Sequence, residues 1–400
     1  MDRGARVLPG RRGRALSGRR PPHFARWRIP DQHQWRPDCR RPHPCLRLCP
    51  RSGAAVTRRG GRNPGQSRDE GGRIGRGRRS ALDGDAAGAR LGRAPGLRQK
   101  QGVTTNGSSS PAIPWYEIDV VALVSLEPLD ANLFRSRVNQ GNINGFLYGG
   151  QVISQALSAA CGTVPAGQPC NSLHGYFLRG GKCDEPVIYE VERTRNGRSF
   201  ATRRVVALQQ GEPILHMECS FHVPEEGLSH ARPMPDVPPP ETLADVAEVY
   251  RSLPGELPPL IAERFMKRGP IELRPTDPDE VLRKLDRPQR RIWLRVPSAA
   301  GSDDPAVHQQ ILTYMSDYWL SGVVLAPHVH PMPSTDYFIA SVDHAVWFHR
   351  PARIDEWLLY DTESPFAGGG TGVSRGALYD RAGHLVATVV QETVFRKRKT

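Results

Sequence analysis

Residues 139–165, NQGNINGFLYGGQVISQALSAACGTVP, combine a polar approach, a glycine pair and a helix that lacks a polar face. After Gly149 and Gly150, small and apolar residues extend all round the predicted helix instead of along one stripe. We therefore expect this helix to be buried on every side. The glycine pair leaves free N–H groups at the helix N-terminus, where an anion or a developing oxyanion can bind. The same pair also fits a purely structural role, because it lets the helix approach the concave face of a sheet closely.

The segments after this helix have the alternation and the β-branched and aromatic residues of strands. Asn196-Gly197 and Gly211-Glu212 are predicted hairpin turns, so the strands they join are expected to be antiparallel neighbours. Residues 115–224 thus read as one unit, a buried helix followed by an antiparallel meander. The predicted strands are SLHGYFLR (172–179), PVIYEVERTR (186–195), FATRRVVALQQ (200–210) and PILHMECSFHVP (213–224).

The same pattern returns after a Pro-rich segment, residues 225–262, which is predicted to be a linker with one short helix. Placing FLR (177–179) on FHR (348–350) and GEPIL (211–215) on GHLVA (383–387) gives offsets of 171 and 172 residues. The chain therefore contains an internal duplication, with the second copy in residues 263–400. Two tandem repeats of a buried helix wrapped by an antiparallel sheet predict an α+β double hotdog, whose sheets can continue edge to edge. The second copy is predicted from a helix, VHQQILTYMSDYWLSG (307–322), and from the strand-like runs DYFIASVDHAVWFHR (336–350), EWLLYDTES (356–364), GVSRGALYD (372–380) and LVATVVQETVFR (385–396).

The net charge of +14 comes from the first hundred residues, which hold 26 Lys and Arg against seven acidic residues, a net +19. Residues 1–110 lack apolar periodicity and are predicted to be a disordered, Arg-rich basic tail. Three hypotheses account for this segment: a nucleic-acid-binding tail, an organelle transit peptide, or an untranslated upstream stretch read as protein. In the third, true translation starts near Val103. Residues 101–400 hold 29 basic and 34 acidic groups, so no nucleic-acid partner is expected for the folded part.

Other broad classes of protein are also disfavoured by the sequence. No run of 18 apolar residues occurs, which predicts no membrane span. Seven cysteines without paired spacing favour a reducing, cytoplasmic compartment over a disulfide scaffold. We expect no metal, because Cys39, Cys45 and Cys49 lack zinc-site spacing, and no cofactor, because no phosphate loop or dinucleotide fingerprint appears.

Several blocks of the sequence resemble the signature blocks of the acyl-CoA thioesterase II family, in the same order and spacing. They are FLYGGQVISQAL (146–157), LHGYFLRGG (173–181), NGRSFATRRVVALQQGEPI (196–214), VDHAVWFHRP (342–351), EWLLY (356–360) and LVATVVQE (385–392). The resemblance covers roughly residues 115–397. It implies a double-hotdog enzyme, acyl-CoA as the substrate, thioester hydrolysis to fatty acid and CoA, and an Asp, Ser or Thr, and Gln set around a water. Matched block by block, these catalytic residues fall on Asp317, Ser341 and Gln391. We also expect a homo-oligomer.

The three residues are also chemically plausible. Asp317 is the only charged residue in ILTYMSDYWL (311–320), and a lone carboxylate on a buried helix is costly unless it is hydrogen-bonded. Such a carboxylate suits a general base, and Ser341 and Gln391 on strands can donate to it or hold a water. A structural Asp that satisfies a helix end is the alternative interpretation. The first repeat's helix has no acid, so we expect one site per chain, in the second repeat.

Two short motifs suggest other chemistry and are interpreted as coincidental. GVSRG (372–376) matches the G-x-S-x-G nucleophile elbow, but a strand, a turn and another strand follow it, so Ser374 is predicted to be an ordinary hairpin residue. Asp343 and His344 are neighbours on one predicted strand and are expected to point to opposite faces, so Ser341 can share a face with Asp343, whereas His344 should not join them. A hotdog acyl-CoA hydratase and a noncatalytic acyl-CoA-binding protein remain the alternative functions.

Overall fold

The computed structural model describes residues 115–252, 259, 262, 266–329, 334 and 336–398. The predicted N-terminal tail, residues 1–110, lies outside this part of the chain, as does a portion of the predicted linker. No helix among the described residues is long and apolar enough to cross a membrane.

The first repeat contains two helices and six strands. Its long helix begins at the glycine pair, as predicted, and all but three of its residues are buried. Two short strands precede this helix, and four longer strands follow it as an antiparallel meander. The elements are α1 (Val120–Val124), β1 (Leu126–Asp130), β2 (Leu133–Ser136), α2 (Gly149–Cys161), β3 (Cys170–Phe177), β4 (Ile188–Asn196), β5 (Phe200–Gln209) and β6 (Glu212–His222).

The second repeat has the same plan, with a central helix and a meander of long strands. A short helix in the connecting segment precedes it, and the central helix is followed at once by a shorter one. The elements are α3 (Val246–Arg251), β7 (Glu272–Pro275), α4 (Asp279–Leu282), β8 (Gln289–Arg295), α5 (Pro305–Ser316), α6 (Leu320–Leu325), β9 (Tyr337–Ser341), β10 (Asp343–Phe348), β11 (Leu358–Gly368), β12 (Thr371–Tyr379) and β13 (Leu385–Lys397).

Within the described residues, the strands of both repeats form one antiparallel sheet. Its order is β1-β2-β4-β5-β6-β3-β10-β13-β12-β11-β8-β7, and β9 also pairs with β13. The two repeats meet where β3 pairs with β10, in a register that places Ala345 opposite His174. The predicted double hotdog with an edge-to-edge sheet is therefore confirmed.

The central helices α2 and α5 pack against each other inside this curled sheet. Ile153 and Leu157 of α2 and Ile311 and Met315 of α5 belong to one continuous apolar core. The helices are in close contact at Gly150, where an added Cβ would lie 2.4 Å from the Tyr314 carbonyl oxygen. Any side chain at this position would push the two helices apart, so glycine here sets the distance between the repeats.

The connecting segment is attached to the second repeat along the outer face of the sheet. Pro238 accepts a hydrogen bond of 2.9 Å from the Trp293 indole N–H. Met234, Val237 and Leu243 pack on an apolar cluster separate from the main core, formed by Trp293, Trp357, Leu359 and Tyr379. The described part of the segment therefore covers an apolar patch, a role that its proline content does not reveal.

Candidate active site

Asp317 lies where the central helix of the second repeat ends. Helix α5 stops at Ser316, Asp317 is its C-cap, and Trp319 takes a left-handed φ of 70° before α6 begins. That conformation is unusual for a bulky residue and interrupts the helix. The sequence prediction of one helix over residues 307–322 with Asp317 inside it is therefore wrong. The break turns the carboxylate toward the cavity described below while the side chain stays 8% exposed.

Ser341 and Gln391 meet Asp317, although they come from strands far apart in the sequence. The Ser341 hydroxyl lies 3.2 Å from Asp317 Oδ1 and donates to it. Gln391 Nε2 lies 3.0 Å from Ser341 Oγ and donates in turn. The three predicted residues thus form one hydrogen-bonded chain that ends on the carboxylate.

His344 belongs to the same cluster, contrary to the prediction that it would point away from Ser341. Between β9 and β10, Val342 is inserted as a bulge, with its own N–H bonded to the Glu392 carbonyl at 2.8 Å. The extra residue changes the alternation, so that Ser341 and His344 face the interior together. Asp343 faces the outside instead, where its Oδ2 lies 3.0 Å from His174 Nε2.

The imidazole of His344 is fully buried and bonded on both sides. Its Nδ1 lies 2.6 Å from Gln391 Oε1, and its Nε2 lies 2.8 Å from Ser316 Oγ, next to Asp317 in the chain. Burial lowers the pKa of His344, although the nearby Asp317 carboxylate opposes this effect. A neutral imidazole is therefore favoured. The sequence signal that could have indicated His344 is a histidine directly before the apolar segment AVW (345–347) of β10.

A buried tyrosine fixes the end of helix α5. The Tyr360 hydroxyl donates to the Ser316 carbonyl at 2.7 Å, which satisfies one of the free carbonyl groups at the helix C-terminus. Burial raises the pKa of Tyr360 well above its usual value, and the Asp317 carboxylate raises it further. The phenol therefore remains a donor, and it holds the residue immediately before Asp317 in place.

The N-terminus of helix α2 lies directly beside the carboxylate. A Cβ added to Gly149 would lie 3.0 Å from Asp317 Oδ2, the oxygen that Ser341 does not contact. The N–H groups of Gly149 and Gly150 form no hydrogen bond to any described residue. The N–H groups of Gly149 and Gly150 therefore lie near Asp317 Oδ2, and both Gly149 and Asp317 line the cavity.

Asp317 and Ser341 lie at the polar end of a cavity of about 560 Å³. Both repeats line it, and most of the wall is apolar, including Phe146, Phe177 and Phe338. Arg290 also lines the cavity, as a buried cation. A long apolar group that carries a reactive polar end fits a cavity of this shape and lining.

Ser374 is not in a nucleophile elbow. It lies in the middle of β12, opposite Gln391 of β13, and no strand–turn–helix surrounds it. Its placement in a β-hairpin is as predicted, but the side chain is completely buried. No cluster of three or more His, Cys, Asp or Glu side chains able to hold a metal ion occurs in the described part of the chain.

Comparison with known proteins agrees with this geometry. The acyl-CoA thioesterase N-terminal domain family matches residues 138–222, and the acyl-CoA thioesterase C-terminal domain family matches residues 234–395. The chain belongs to the acyl-CoA thioesterase II family. The first match spans α2 to β6, the second runs from the connecting segment into β13, and Asp317, Ser341 and Gln391 all fall in the second.

Individual members of the acyl-CoA thioesterase family are similar over most of their length. Acyl-coenzyme A thioesterase 8 of Homo sapiens is 40% identical over 286 residues, which span 69% of this chain and 88% of that protein. Acyl-CoA thioesterase 2 of Haemophilus influenzae is 34% identical over 281 residues, 70% of this chain and 97% of that protein. The crystal structure of acyl-CoA thioesterase II TesB2 from Mycobacterium marinum has a TM-score of 0.56 and 37% identity, covering 70% of this chain and 98% of that chain.

Proposed function

We propose that Asp317, Ser341 and Gln391 carry out the hydrolysis of acyl-CoA in this thioesterase. The chain is an acyl-CoA thioester hydrolase, and the observation that carries the assignment of residues is the hydrogen-bonded chain from Gln391 through Ser341 to Asp317 Oδ1. Because Ser341 occupies Oδ1, the free oxygen Oδ2 is the one available to accept a proton from water. That oxygen faces the cavity beside Gly149.

The reaction then proceeds by attack of water on the thioester carbonyl. The water oxygen forms a bond to the carbonyl carbon while Asp317 Oδ2 takes one of its protons. The tetrahedral intermediate collapses with cleavage of the C–S bond, and the CoA thiolate leaves and takes up the proton. The products are the free acid and CoA, and no covalent bond to the protein forms.

The oxyanion of the intermediate is stabilised by the N-terminus of α2 in this proposal. The N–H groups of Gly149 and Gly150 lie next to Asp317, and the positive end of a 13-residue helix adds to their effect. Donors held rigidly at a buried helix end need no reorganisation as the negative charge develops. The apolar wall of the cavity, which includes Phe146 and Phe338, is proposed to hold a fatty acyl chain.

Substitution of Asp317 tests the proposed base. Asp317→Asn keeps the shape and the bond from Ser341 but removes the proton acceptor, so we expect kcat to fall by about 10²- to 10⁴-fold. Asp343→Asn is the matched control, since this carboxylate faces the outside of the same sheet and binds His174. Thiol release from a series of acyl-CoAs measures both variants. A wild-type kcat in Asp317→Asn would show that the wrong base has been named.

Two further variants test the other members of the set. Ser341→Thr should retain activity, because the hydroxyl that donates to Asp317 remains. Gln391→Ala should lower kcat, because the donor to Ser341 is lost. A dead Ser341→Thr enzyme that still folds would argue for Ser341 as a nucleophile instead.

A hydratase or a binding protein makes different predictions for the same site. A hydratase of this architecture needs a histidine that can reach the substrate, but both ring nitrogens of His344 are bonded to protein groups. Thiol release without hydration of an unsaturated acyl-CoA is therefore expected. Binding of acyl-CoA without thiol release would refute catalysis.

Three properties of the whole chain also belong to the proposal. We infer a cytoplasmic location, in line with the four free cysteines of the described residues. We infer a homo-oligomer, which sedimentation of the purified chain would test. We assign residues 115–224 and 263–400 to the two repeats and 225–262 to the connection between them, so cleavage within 225–262 should leave both repeats protected from proteases.

A further inference from the structure

The catalytic chain of hydrogen bonds has a direction, and His344 lies at its start. In the orientation that brings Gln391 Oε1 to 2.6 Å from His344 Nδ1, the proton of this hydrogen bond belongs to Nδ1, because a carbonyl oxygen only accepts. Gln391 Nε2 then donates to Ser341 Oγ at 3.0 Å, and Ser341 donates to Asp317 Oδ1 at 3.2 Å. Each group donates to the next until the carboxylate is reached.

A glutamine amide can point its oxygen or its nitrogen in a given direction, and the two orientations occupy the same volume. In the reversed orientation, Gln391 Oε1 would face Ser341 and accept the hydroxyl proton that now goes to Asp317. Asp317 would lose its donor, and the hydrogen bonds would run from Ser341 through Gln391 to His344. Gln391 and Ser341 alone do not decide between the two orientations.

We propose that His344 is a positioning residue that fixes the orientation of Gln391 and thereby directs the Ser341 hydroxyl to Asp317. This proposal rests on the assignment of Asp317, Ser341 and Gln391 as the catalytic set. The Nδ1–H of His344 accepts nothing, so it is compatible only with the oxygen of Gln391. The imidazole makes its hydrogen bonds to Ser316 and Gln391 and is not among the residues that line the cavity, so its effect passes through the amide.

Two features of the structure hold the imidazole in the required position. Nε2 lies 2.8 Å from Ser316 Oγ, the hydroxyl of the last residue of helix α5, immediately before Asp317. The same hydroxyl lies 2.9 Å from the Thr313 carbonyl, so it donates to Nε2 when the ring is the neutral Nδ1–H tautomer and to Thr313 when the ring is protonated. The bulge at Val342 turns His344 to the inner face, on which Ser341 also lies. One imidazole thus ties the strand that carries Gln391 to the helix end that carries Asp317. Both the neutral Nδ1–H tautomer and the protonated ring keep the donor to Gln391.

A double-mutant cycle between His344 and Gln391 tests the inference, with kcat and KM measured by thiol release. His344→Leu has similar volume but no donor, and we expect kcat to fall by about 10- to 100-fold with little change in KM. In the Gln391→Ala background, the same substitution should have no further effect on kcat, because the residue through which it acts is gone. His344→Asn should recover part of the lost activity, since its amide N–H can take the place of Nδ1–H.

His308→Leu is the matched control for the loss of a buried histidine. His308 is also buried in the second repeat, and its ring bonds the Ser302 carbonyl and the Ile354 N–H, away from the catalytic set. His308→Leu should lower Tm as much as His344→Leu does, while its kcat stays at the wild-type value. If His344→Leu fails to fold, the cycle is run with Ser316→Ala, which removes the hydrogen bond to Nε2 that holds the imidazole.

The outcomes separate this inference from the proposed function. Losses of kcat that add up in the double variant, or a His344→Asn enzyme no better than His344→Leu, would refute the positioning role of His344 and leave the catalytic set standing. A wild-type kcat in Gln391→Ala would refute the catalytic set itself. Non-additive losses with recovery in His344→Asn support both.

Discussion

The two glycines at the start of α2 are adjacent in sequence but have different neighbours, so the same substitution should have different effects at each. A Cβ at Gly149 would enter the cavity, 3.0 Å from Asp317 Oδ2 and 3.2 Å from the Phe177 ring. Both neighbours are the ends of side chains that can move by a few tenths of an ångström. Gly149→Ala is therefore expected to fold with nearly unchanged stability, and alanine even favours the helix slightly.

The expected damage at Gly149 is catalytic. The added methyl group would stand beside the carboxylate oxygen that is proposed to accept the water proton, and a displacement of about 1 Å at a reacting centre can cost about 100-fold in rate. We expect kcat/KM to fall by about 10- to 100-fold, equivalent to about 1.4–2.7 kcal/mol of lost transition-state stabilisation.

The expected damage at Gly150 is structural. A Cβ there would lie 2.4 Å from the Tyr314 carbonyl oxygen, whereas real Cβ contacts essentially never fall under 3.0 Å. Because the neighbour is backbone, α2 and α5 must separate by at least about 0.6 Å to reach that limit. Overpacking costs about 1–3 kcal/mol, here at the upper end because a backbone neighbour cannot turn aside, and the helix propensity of alanine offsets about 1 kcal/mol, so a net loss of about 2 kcal/mol remains. At about 2–4 °C per kcal/mol, the net loss should lower Tm by several degrees.

Thermal melts and thiol-release kinetics on both variants provide the test. Gly227→Ala is the control, because a Cβ at that exposed position meets no atom within 4 Å. Two results would refute the reasoning. Unchanged kcat/KM in Gly149→Ala would mean that the space beside Asp317 is not the reacting centre. An unchanged Tm in Gly150→Ala would mean that the helices do not approach as closely as described.

Three other changes have defined expectations. Ser374→Ala removes a buried hydroxyl that has no hydrogen-bond partner in the described residues, so the free energy of unfolding should change by less than about 1 kcal/mol. Hydrolysis should persist, and no burst of thiol should appear in the wild-type enzyme. Labelling of Ser374 by a serine-directed phosphonate would contradict this. Deletion of residues 1–110 should leave Tm and hydrolysis unchanged, because their composition cannot form a core; a much lower melting temperature would show that the segment packs on the body. Arg290→Met should raise the free energy of unfolding, since Nε and Nη1 of this buried guanidinium have no described partner. Arg203→Met should lower the free energy of unfolding by about 2–4 kcal/mol, since Arg203 is buried with every nitrogen bonded. Thermal melts measure both variants, and a change of the same sign in both would refute the distinction.

The sequence by itself determined the repeat and the elements within it. The apolar composition of α2 on all sides required burial, and the turn residues Asn196-Gly197 and Gly211-Glu212 fixed the first meander. These features depend on neighbours close in the chain, and they are confirmed by the described strands. The offset between the two copies then indicated two hotdogs in one sheet.

The sequence also named Asp317, Ser341 and Gln391, since each is a polar residue inside an apolar block that resembles a known family. Their assembly into one chain of hydrogen bonds is a property of the tertiary structure. Asp317 comes from the end of a helix, and Ser341 and Gln391 come from strands paired across the sheet, 50 residues apart. No local pattern encodes the distance between them.

Tertiary structure alone decided the place of His344. Strict alternation along residues 336–350 puts His344 and Ser341 on opposite faces, and a single inserted residue, Val342, reverses that relation. The end of α5 at Ser316 is similar, because the apolar pattern continues past it while Trp319 adopts a left-handed conformation. Bulges and helix breaks of this kind are stabilised by contacts with segments distant in the chain, here the Glu392 carbonyl and the Tyr360 hydroxyl, and such contacts exist only once the strands of the second repeat have assembled around its central helix.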